Sequence, residues 1–383
     1  MTTVLASRLD GLEESATMAL NAKAKQLQEA GKTIYNLTAG ELASDTPGYI
    51  RESVSQVLGR NKYTAVAGLP ELREAIAVQA SKLYALDWIK AGNVTVTAGA
   101  KPALYTSLLA IIDPGDEVIV PVPAWVSYKH LIELVGGKVV EVPLTDSFDL
   151  DPKAIAANIS KKTKAIIINS PHNPTGAIFS KKALEGTAQA LNDSGVTVIA
   201  DDIYAKLIYD DNFTYAPACG FKKLIIINGF SKSQALTGWR IGYCIASLEI
   251  TTAIAKLLSH TMGNASVVSQ HAALAAMEHG DSPPEKTTAL LEKHLKLVEK
   301  TLDECQPLTY RKPGGAFYVF IDLRAITQES ARWCEQLLEQ TGVALVPGEA
   351  FSAPGFARLS FVADETTLKG ALAGIKLFVK GGA

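Results

Sequence analysis

Between Asn93 and Ala246 the chain alternates short apolar runs with stretches that carry helix start and stop signals, and few folds accept that pattern. The stretches 94–97, 117–120, 138–142, 165–169, 196–200, 224–228 and 240–246 read as strands. Runs such as Leu224-Ile225-Ile226-Ile227 are apolar at consecutive positions, which suits strands covered on both faces. The expected result is an α/β fold, a mostly parallel seven-stranded sheet flanked by helices. Asp113-Pro114-Gly115-Asp116, Gly136-Gly137 and Asp151-Pro152 mark turns and helix starts between the strands.

The flanks differ. Met18, Leu20, Ala24 and Leu27 stand at helical spacing and predict a helix over 15–30 that stops at Gly31. A strand over 34–40 follows, then a helix over 47–57 and another opening at Leu69-Pro70. Past about His260 the alternation gives way to helices over 269–279 and 284–305. Short strands at 317–321, 343–346 and 358–361 come next, with helices over 330–340 and 364–379. This mixture predicts a smaller α+β domain with antiparallel pairing, which the N-terminal segment joins. The expected division is a large domain over 46–285 and a small one built from 1–45 and 286–383.

Of the 383 residues 48% are hydrophobic and 20% charged, enough material for a large core in one or two domains. A formal net charge of -2 without blocks of like charge argues against nucleic acid or an anionic membrane surface as partner. Cys219, Cys244, Cys305 and Cys334 fit neither a zinc pattern nor a redox pair and are expected as reduced core residues; no metal site is expected. Arg8, Asp10, Glu13 and Glu14 precede any long apolar run, unlike a secretory signal, and no run is long enough to span a bilayer. A cytoplasmic location is the expectation.

In such a sheet, loops leaving the carboxyl ends of the strands form the binding crevice. Thr97 runs into Ala98-Gly99-Ala100-Lys101 and a helix at Pro102, which gathers free N–H groups and a positive helix end for a phosphate, or makes an ordinary strand-to-helix turn. Trp125 can cover a flat ring or simply pack. Asn173, between Pro171 and Pro174, has a fixed amide able to donate, or acts as a turn former. Asp201 is the first polar residue past its apolar run and can hold a pyridine nitrogen protonated; Asp201 and Tyr204 can also be a helix cap and a packing pair. Gly40 ends its strand where backbone approaches a ligand or merely turns.

The last edge carries Gly229-Phe230-Ser231-Lys232, followed by Ala235-Leu236-Thr237-Gly238-Trp239-Arg240-Ile241-Gly242. An amine at the end of a buried strand can condense with an aldehyde, and Arg240 can return a planar fork of donors to the same pocket. Taken alone, Lys232 is an ordinary solvated charge.

Taken with its neighbours, this stretch resembles the lysine-bearing signature of class I and II aminotransferases, which use pyridoxal phosphate. The likeness covers nearly the whole chain. Ala98 to Lys101, Trp125, Asn173 to Gly176, Asp201 to Tyr204, Lys232 and Arg240 occur in the order and approximate spacing of fold type I enzymes. Leu37-Thr38-Ala39-Gly40-Glu41, Tyr63 with Gly68-Leu69-Pro70-Glu71-Leu72-Arg73, Pro313-Gly314-Gly315-Ala316-Phe317-Tyr318 and Arg358-Leu359-Ser360-Phe361 look like further members of the pattern.

The resemblance implies roles. Lys232 binds the cofactor covalently and shuttles a proton, Asp201 pairs with the ring nitrogen, Tyr204 and Asn173 bond the ring oxygen, and Trp125 stacks on the ring. The phosphate falls to Gly99, Ala100 and Lys101 at the helix start, with Ser231, Arg240 and Tyr63 of a neighbouring subunit, which implies a homodimer with shared sites. Arg358 grips the substrate α-carboxylate, helped by Asn173 and the Gly40 backbone, beside Trp125. Lys101 matches a lysine of the bacterial aspartate aminotransferase subgroup that meets the distal carboxylate, so L-aspartate and 2-oxoglutarate are the expected substrates. Aminotransferases for aromatic or other amino acids and carbon-sulfur β-lyases share the constellation; a regulator's ligand-sensing domain is disfavoured, since no basic module precedes the fold in this sequence. Two positions depart from the pattern. Leu42-Ala43-Ser44-Asp45 follows Glu41 where the family has a Pro and an acidic residue, and Asp202 stands where many relatives have Glu.

Overall fold

Consecutive apolar residues send their side chains to opposite faces of a strand, so each run here has to be covered twice. The computed structural model meets that demand; it describes residues 6–9, 16–42, 44–60, 62–280 and 282–381. Asp10, Glu13, Glu14, Ala43 and Ser15, the expected start of the first helix, lie outside the described residues.

Helix α1 (Ala16–Glu29), strand β1 (Tyr35–Asn36) and helices α2 (Gly48–Ser55) and α3 (Pro70–Tyr84) lead into the sheet. Its strands are β2 (Val94–Thr97), β3 (Glu117–Val122), β4 (Lys138–Pro143), β5 (Thr163–Asn169), β6 (Thr197–Asp201), β7 (Leu224–Gly229) and β8 (Gly242–Ile245). Between them run α4 (Ala100–Ile111), α5 (Ser127–Leu134), α6 (Pro152–Ala157) and α7 (Lys181–Leu191); α8 (Leu248–His260) and α9 (Val267–Glu278) follow. The order is β2-β8-β7-β6-β5-β3-β4, parallel except for β8, which is antiparallel to both neighbours.

Ile166 and Ile168 of β5 and Ile226 of β7 pack on one face with Leu72 and Ile76 of α3 and Leu184 of α7. Ile167, Ile225 and Ile227 pack on the other with Leu104 and Leu108 of α4 and Ile132 of α5. Each fully buried Ile or Leu contributes roughly 1.5–3 kcal/mol. Asp151 caps α6 as the sequence signals, its side chain accepting from the N–H groups of Lys153 and Ala154.

The rest of the chain builds a smaller α+β unit from α10 (Ser282–Leu302), β9 (Thr309–Tyr310), β10 (Tyr318–Asp322), α11 (Ser330–Thr341), β11 (Val343–Ala344), β12 (Val346–Pro347), β13 (Phe356–Ser360) and α12 (Glu365–Lys380). Its antiparallel sheet runs β12-β13-β10-β9, over a core that includes Leu295, Phe317, Trp333, Leu359 and Ile375. The N-terminal segment does join this unit, but by parallel pairing of β1 with β11.

Three elements differ from the sequence expectation. The strand over 34–40 shrinks to Tyr35–Asn36, because Asn36 Oδ1 accepts from the backbone and hydroxyl of Thr38 and turns the chain away. The strand over 343–346 is two, β11 against β1 and β12 against β13. Arg240 does not open β8: it has a φ of 51° in a turn closed by its N–H on the Thr237 carbonyl, and the strand starts at Gly242. The four cysteines are free and buried. No described helix is long and apolar enough to cross a membrane, and no group of described residues could hold a metal ion.

Candidate active site

The carboxyl ends of β2, β3, β5, β6 and β7 open on a cavity of about 390 Å³ whose far wall comes from the smaller unit. At one end lies the start of α4. Gly99 is its N-cap with a φ of +107°, and a Cβ there would stand 2.7 Å from Arg240 Nη2, so a glycine lets the guanidinium lie against the backbone. Ala100 and Lys101 open the helix and line the cavity, at the end where N–H groups lack intrahelical acceptors. Ser231, Thr237 and Arg240 line the same end, with Arg240 Nη1 donating to the Thr237 carbonyl at 3.1 Å.

Asp201, the last residue of β6, is buried at the cavity wall. It accepts from the Tyr128 hydroxyl at 2.7 Å and the Ile203 N–H at 3.3 Å, while Asn169 Nδ2 holds its backbone carbonyl at 2.8 Å. Burial pushes its carboxyl above the ordinary range, and the two donors and the Lys232 charge oppose that rise. Tyr128 sits on α5 with its ring edge-on to Trp125, centroids 5.3 Å apart. Trp125 lines the cavity, and Lys101 Nζ lies 4.9 Å over its ring and 3.2 Å from Ser127 Oγ. The next residue, Asp202, is wholly buried, and among the described residues neither of its carboxylate oxygens has a hydrogen-bond partner. Burial raises it to about 8.

Lys232 leaves the end of β7 and donates from Nζ to the Gly40 carbonyl. Burial lowers its pKa to about 8; Arg240 and Arg358 add to that, and Glu41 and Asp201 oppose it. Tyr204 lines the cavity with its hydroxyl 2.9 Å from that of Tyr318.

Arg358 stands on β13 and is only 4% exposed. Nη1 donates to Asn173 Oδ1 and Nη2 to the Thr38 carbonyl, both at 2.9 Å. The guanidinium lies 4.4 Å from the Tyr318 ring centroid and 5.0 Å from that of Phe351. Among the described residues its buried Nε has no hydrogen-bond partner and no carboxylate pairs with the guanidinium. Asn173 is set in turn by its own N–H on Asn169 Oδ1 at 2.9 Å; with its oxygen taken by Arg358, its amide NH₂ is what it offers the cavity. Phe351 also fastens the two units: its carbonyl accepts from the Ala124 N–H at 3.1 Å, and the adjacent Ser352 donates to Glu141 of β4 at 2.8 Å.

The structure therefore brings eleven of the expected site residues to one cavity, with Gly99 just behind it. Tyr63 stands apart, 97% exposed and outside the lining. Sequence reasoning missed Thr38 as an acceptor for Arg358, Asn169, Tyr128 and Phe351. Only Tyr128 had a signal, the three-residue spacing from Trp125 that places both on one side of a helical turn.

Residues 32–375 match the family model for aminotransferase class I and II. The chain is 41% identical over 382 residues to an aspartate aminotransferase of Thermotoga maritima, covering 98% of this chain and 99% of the relative. It is 37% identical over 374 residues to an aspartate/prephenate aminotransferase of Thermus thermophilus, covering 96% and 97%. The solved aspartate aminotransferase of Thermus thermophilus with maleate matches it with a TM-score of 0.94 at 36% identity, over 98% of this chain and 100% of that one.

Proposed function

We propose that this chain, which belongs to the aminotransferase class I and II family, moves the amino group of L-aspartate to 2-oxoglutarate. One observation carries the reading: a buried guanidinium, Arg358, with an unpartnered Nε and no carboxylate among its described neighbours, shares a cavity with the half-buried amine of Lys232. An uncompensated buried charge is costly, so the site is built for a ligand that brings a carboxylate to Arg358 and an amine to Lys232.

Enzymes of this family use pyridoxal phosphate, and the donor set suits it. Asp201 offers a buried carboxylate for a ring nitrogen, and the start of α4 with Ser231 and Arg240 offers donors for a phosphate. Trp125 is positioned to cover the ring, and the Tyr204 hydroxyl and Asn173 amide to donate to the ring oxygen. When bound, the cofactor supplies a ring that takes up the electron pair left when the substrate α-carbon loses its proton. Lys232 holds the cofactor and, once a substrate amine displaces it, carries that proton; a pKa of about 8 keeps a usable fraction of the amine neutral near pH 7. Arg358 and the Asn173 amide orient the α-carboxylate.

Aspartate is favoured by Lys101, whose ammonium reaches the cavity over Trp125 as a partner for a second carboxylate. The names of the relatives agree, and the ligand of the solved relative, maleate, is a four-carbon dicarboxylate. We further propose a homodimer in which Tyr63 of one copy completes the phosphate end of the other, since its ring is 97% exposed in the single chain. Residues 46–285 form the cofactor-holding unit, and 1–45 with 286–383 the unit that carries Arg358. Four free buried cysteines fit a reducing compartment, the cytoplasm.

The test is a half-reaction. L-Aspartate is expected to change the visible absorbance of the bound cofactor, and 2-oxoglutarate to restore it. Release of pyruvate and thiol from cystathionine without any 2-oxo acid requirement would replace this reading with a β-lyase.

A further inference from the structure

Two carboxylates stand side by side at the end of β6, and both are buried. Their surroundings differ in two respects. Asp201 faces the cavity and has two donors, the Tyr128 hydroxyl at 2.7 Å and the Ile203 N–H at 3.3 Å. Asp202 does not line the cavity, and the one donor that faces it, the Tyr84 hydroxyl, falls short of ordinary hydrogen-bond geometry. Tyr128 is itself wholly enclosed, with its ring edge-on to Trp125 and its N–H on the Trp125 carbonyl at 3.0 Å, so its hydroxyl is held in place from α5.

We propose that Tyr128 is a positioning residue for Asp201, and that the hydrogen bond it donates keeps Asp201, the carboxylate at the cavity wall, charged for the cofactor. A buried carboxylate that accepts hydrogen bonds favours its charged form, and one without donors favours its neutral form. Two adjacent buried acids cannot both ionise cheaply, so the close bond from Tyr128, against the poorer placement of Tyr84 at Asp202, favours the charge on Asp201. The groups facing Asp201 are Tyr128 from α5, Lys232 from the end of β7, and Tyr204. Those facing Asp202 are Tyr84 from α3 and Tyr243 from β8, with Cys219 nearby and burial pushing all three of these groups up. The arrangement leaves one negative charge at the cavity wall. Asp202 then serves as a neutral packing residue, which gives the departure from glutamate at this position no charge of its own to place.

This inference rests on the cofactor assignment above, not on the choice of amino acid. In the full-length protein, stripped of pyridoxal phosphate and reloaded, Tyr128→Phe keeps the ring against Trp125 and removes only the donor. Its cofactor Kd is expected to rise about tenfold or more, the usual worth of a hydrogen bond to a charged group. The pH below which cofactor binding weakens is expected to move up, since Asp201 takes a proton more readily without its donor; a purely structural defect would not move that midpoint. Asp202→Asn, which mimics the neutral acid, is expected to leave the Kd within about twofold, far less than a lost charged hydrogen bond would cost. An unchanged midpoint in Tyr128→Phe, or an Asp202→Asn protein that loses cofactor as badly, overturns the proposal. Because no amino acid is added, failure to transaminate aspartate would leave this result untouched.

Discussion

Replacing Arg358 by lysine keeps the positive charge and removes the fork. Of the five N–H donors of the guanidinium, two are held by Asn173 Oδ1 and the Thr38 carbonyl, so three remain, among them the unpartnered Nε–H. An ammonium has three donors, and keeping the same two acceptors satisfied leaves it one. The substrate carboxylate thus falls from a two-point to a one-point contact. One lost charge-assisted hydrogen bond is worth about 1.5–3 kcal/mol, so kcat/KM of Arg358→Lys should fall roughly 10-fold to 150-fold. The α-carboxylate is common to all amino acids, so steady-state assays with L-aspartate and L-alanine should show matching losses. A fall of less than about threefold, well below one such bond, or a fall confined to aspartate, would refute the bidentate role.

Lys101→Ala should behave in the opposite way, losing activity with L-aspartate far more than with L-alanine; equal losses would remove Lys101 as a specificity element. Lys232→Met should carry no cofactor adduct reducible by borohydride, and a retained adduct would move the covalent role elsewhere. The same variant reports on buried charge. Because the folded pKa of Lys232 lies at about 8 against 10.5 in the ordinary amine, the unfolded chain holds more protons between those values. Stability of the cofactor-free protein should therefore rise with pH across that window, by roughly 3 kcal/mol from this group. Relative to wild type, Lys232→Met should be more stable below about pH 8, with the advantage fading towards pH 10.5; a pH-independent difference would contradict the lowered pKa of the amine.

The sheet was legible because its central strands, such as β5 and β7, are apolar at consecutive positions, a pattern that suits burial on both faces. Residues near the strand ends were legible for the same reason, since Asp201 stands where its apolar run stops and Lys232 three residues past the end of β7. What the sequence hides is set by contacts between distant segments. Asn36 ends its strand early through a side-chain bond to the next turn, which no periodicity announces. Leu345 divides one apolar run between two sheets, and Arg240 takes a left-handed turn just where the run suggests a strand. The spacing of Tyr128 from Trp125 hints at a shared face, but its acceptor shows only when β6 brings Asp201 to its hydroxyl. Thr38 reaches Arg358 with its backbone carbonyl, an atom every residue carries, so no residue type marked it.

The turn at Phe351 has a bearing on how such a site diversifies. Its carbonyl holds the backbone next to Trp125 while its ring supports Arg358, so the grip we propose on the part shared by every amino acid is anchored by contacts that do not involve Lys101. A lineage can therefore trade one side-chain preference for another at Lys101 and its surroundings without rebuilding the hold on the backbone of the substrate. Variation in this turn itself would disturb every substrate alike, which makes it a poor place for selection to search for new specificities.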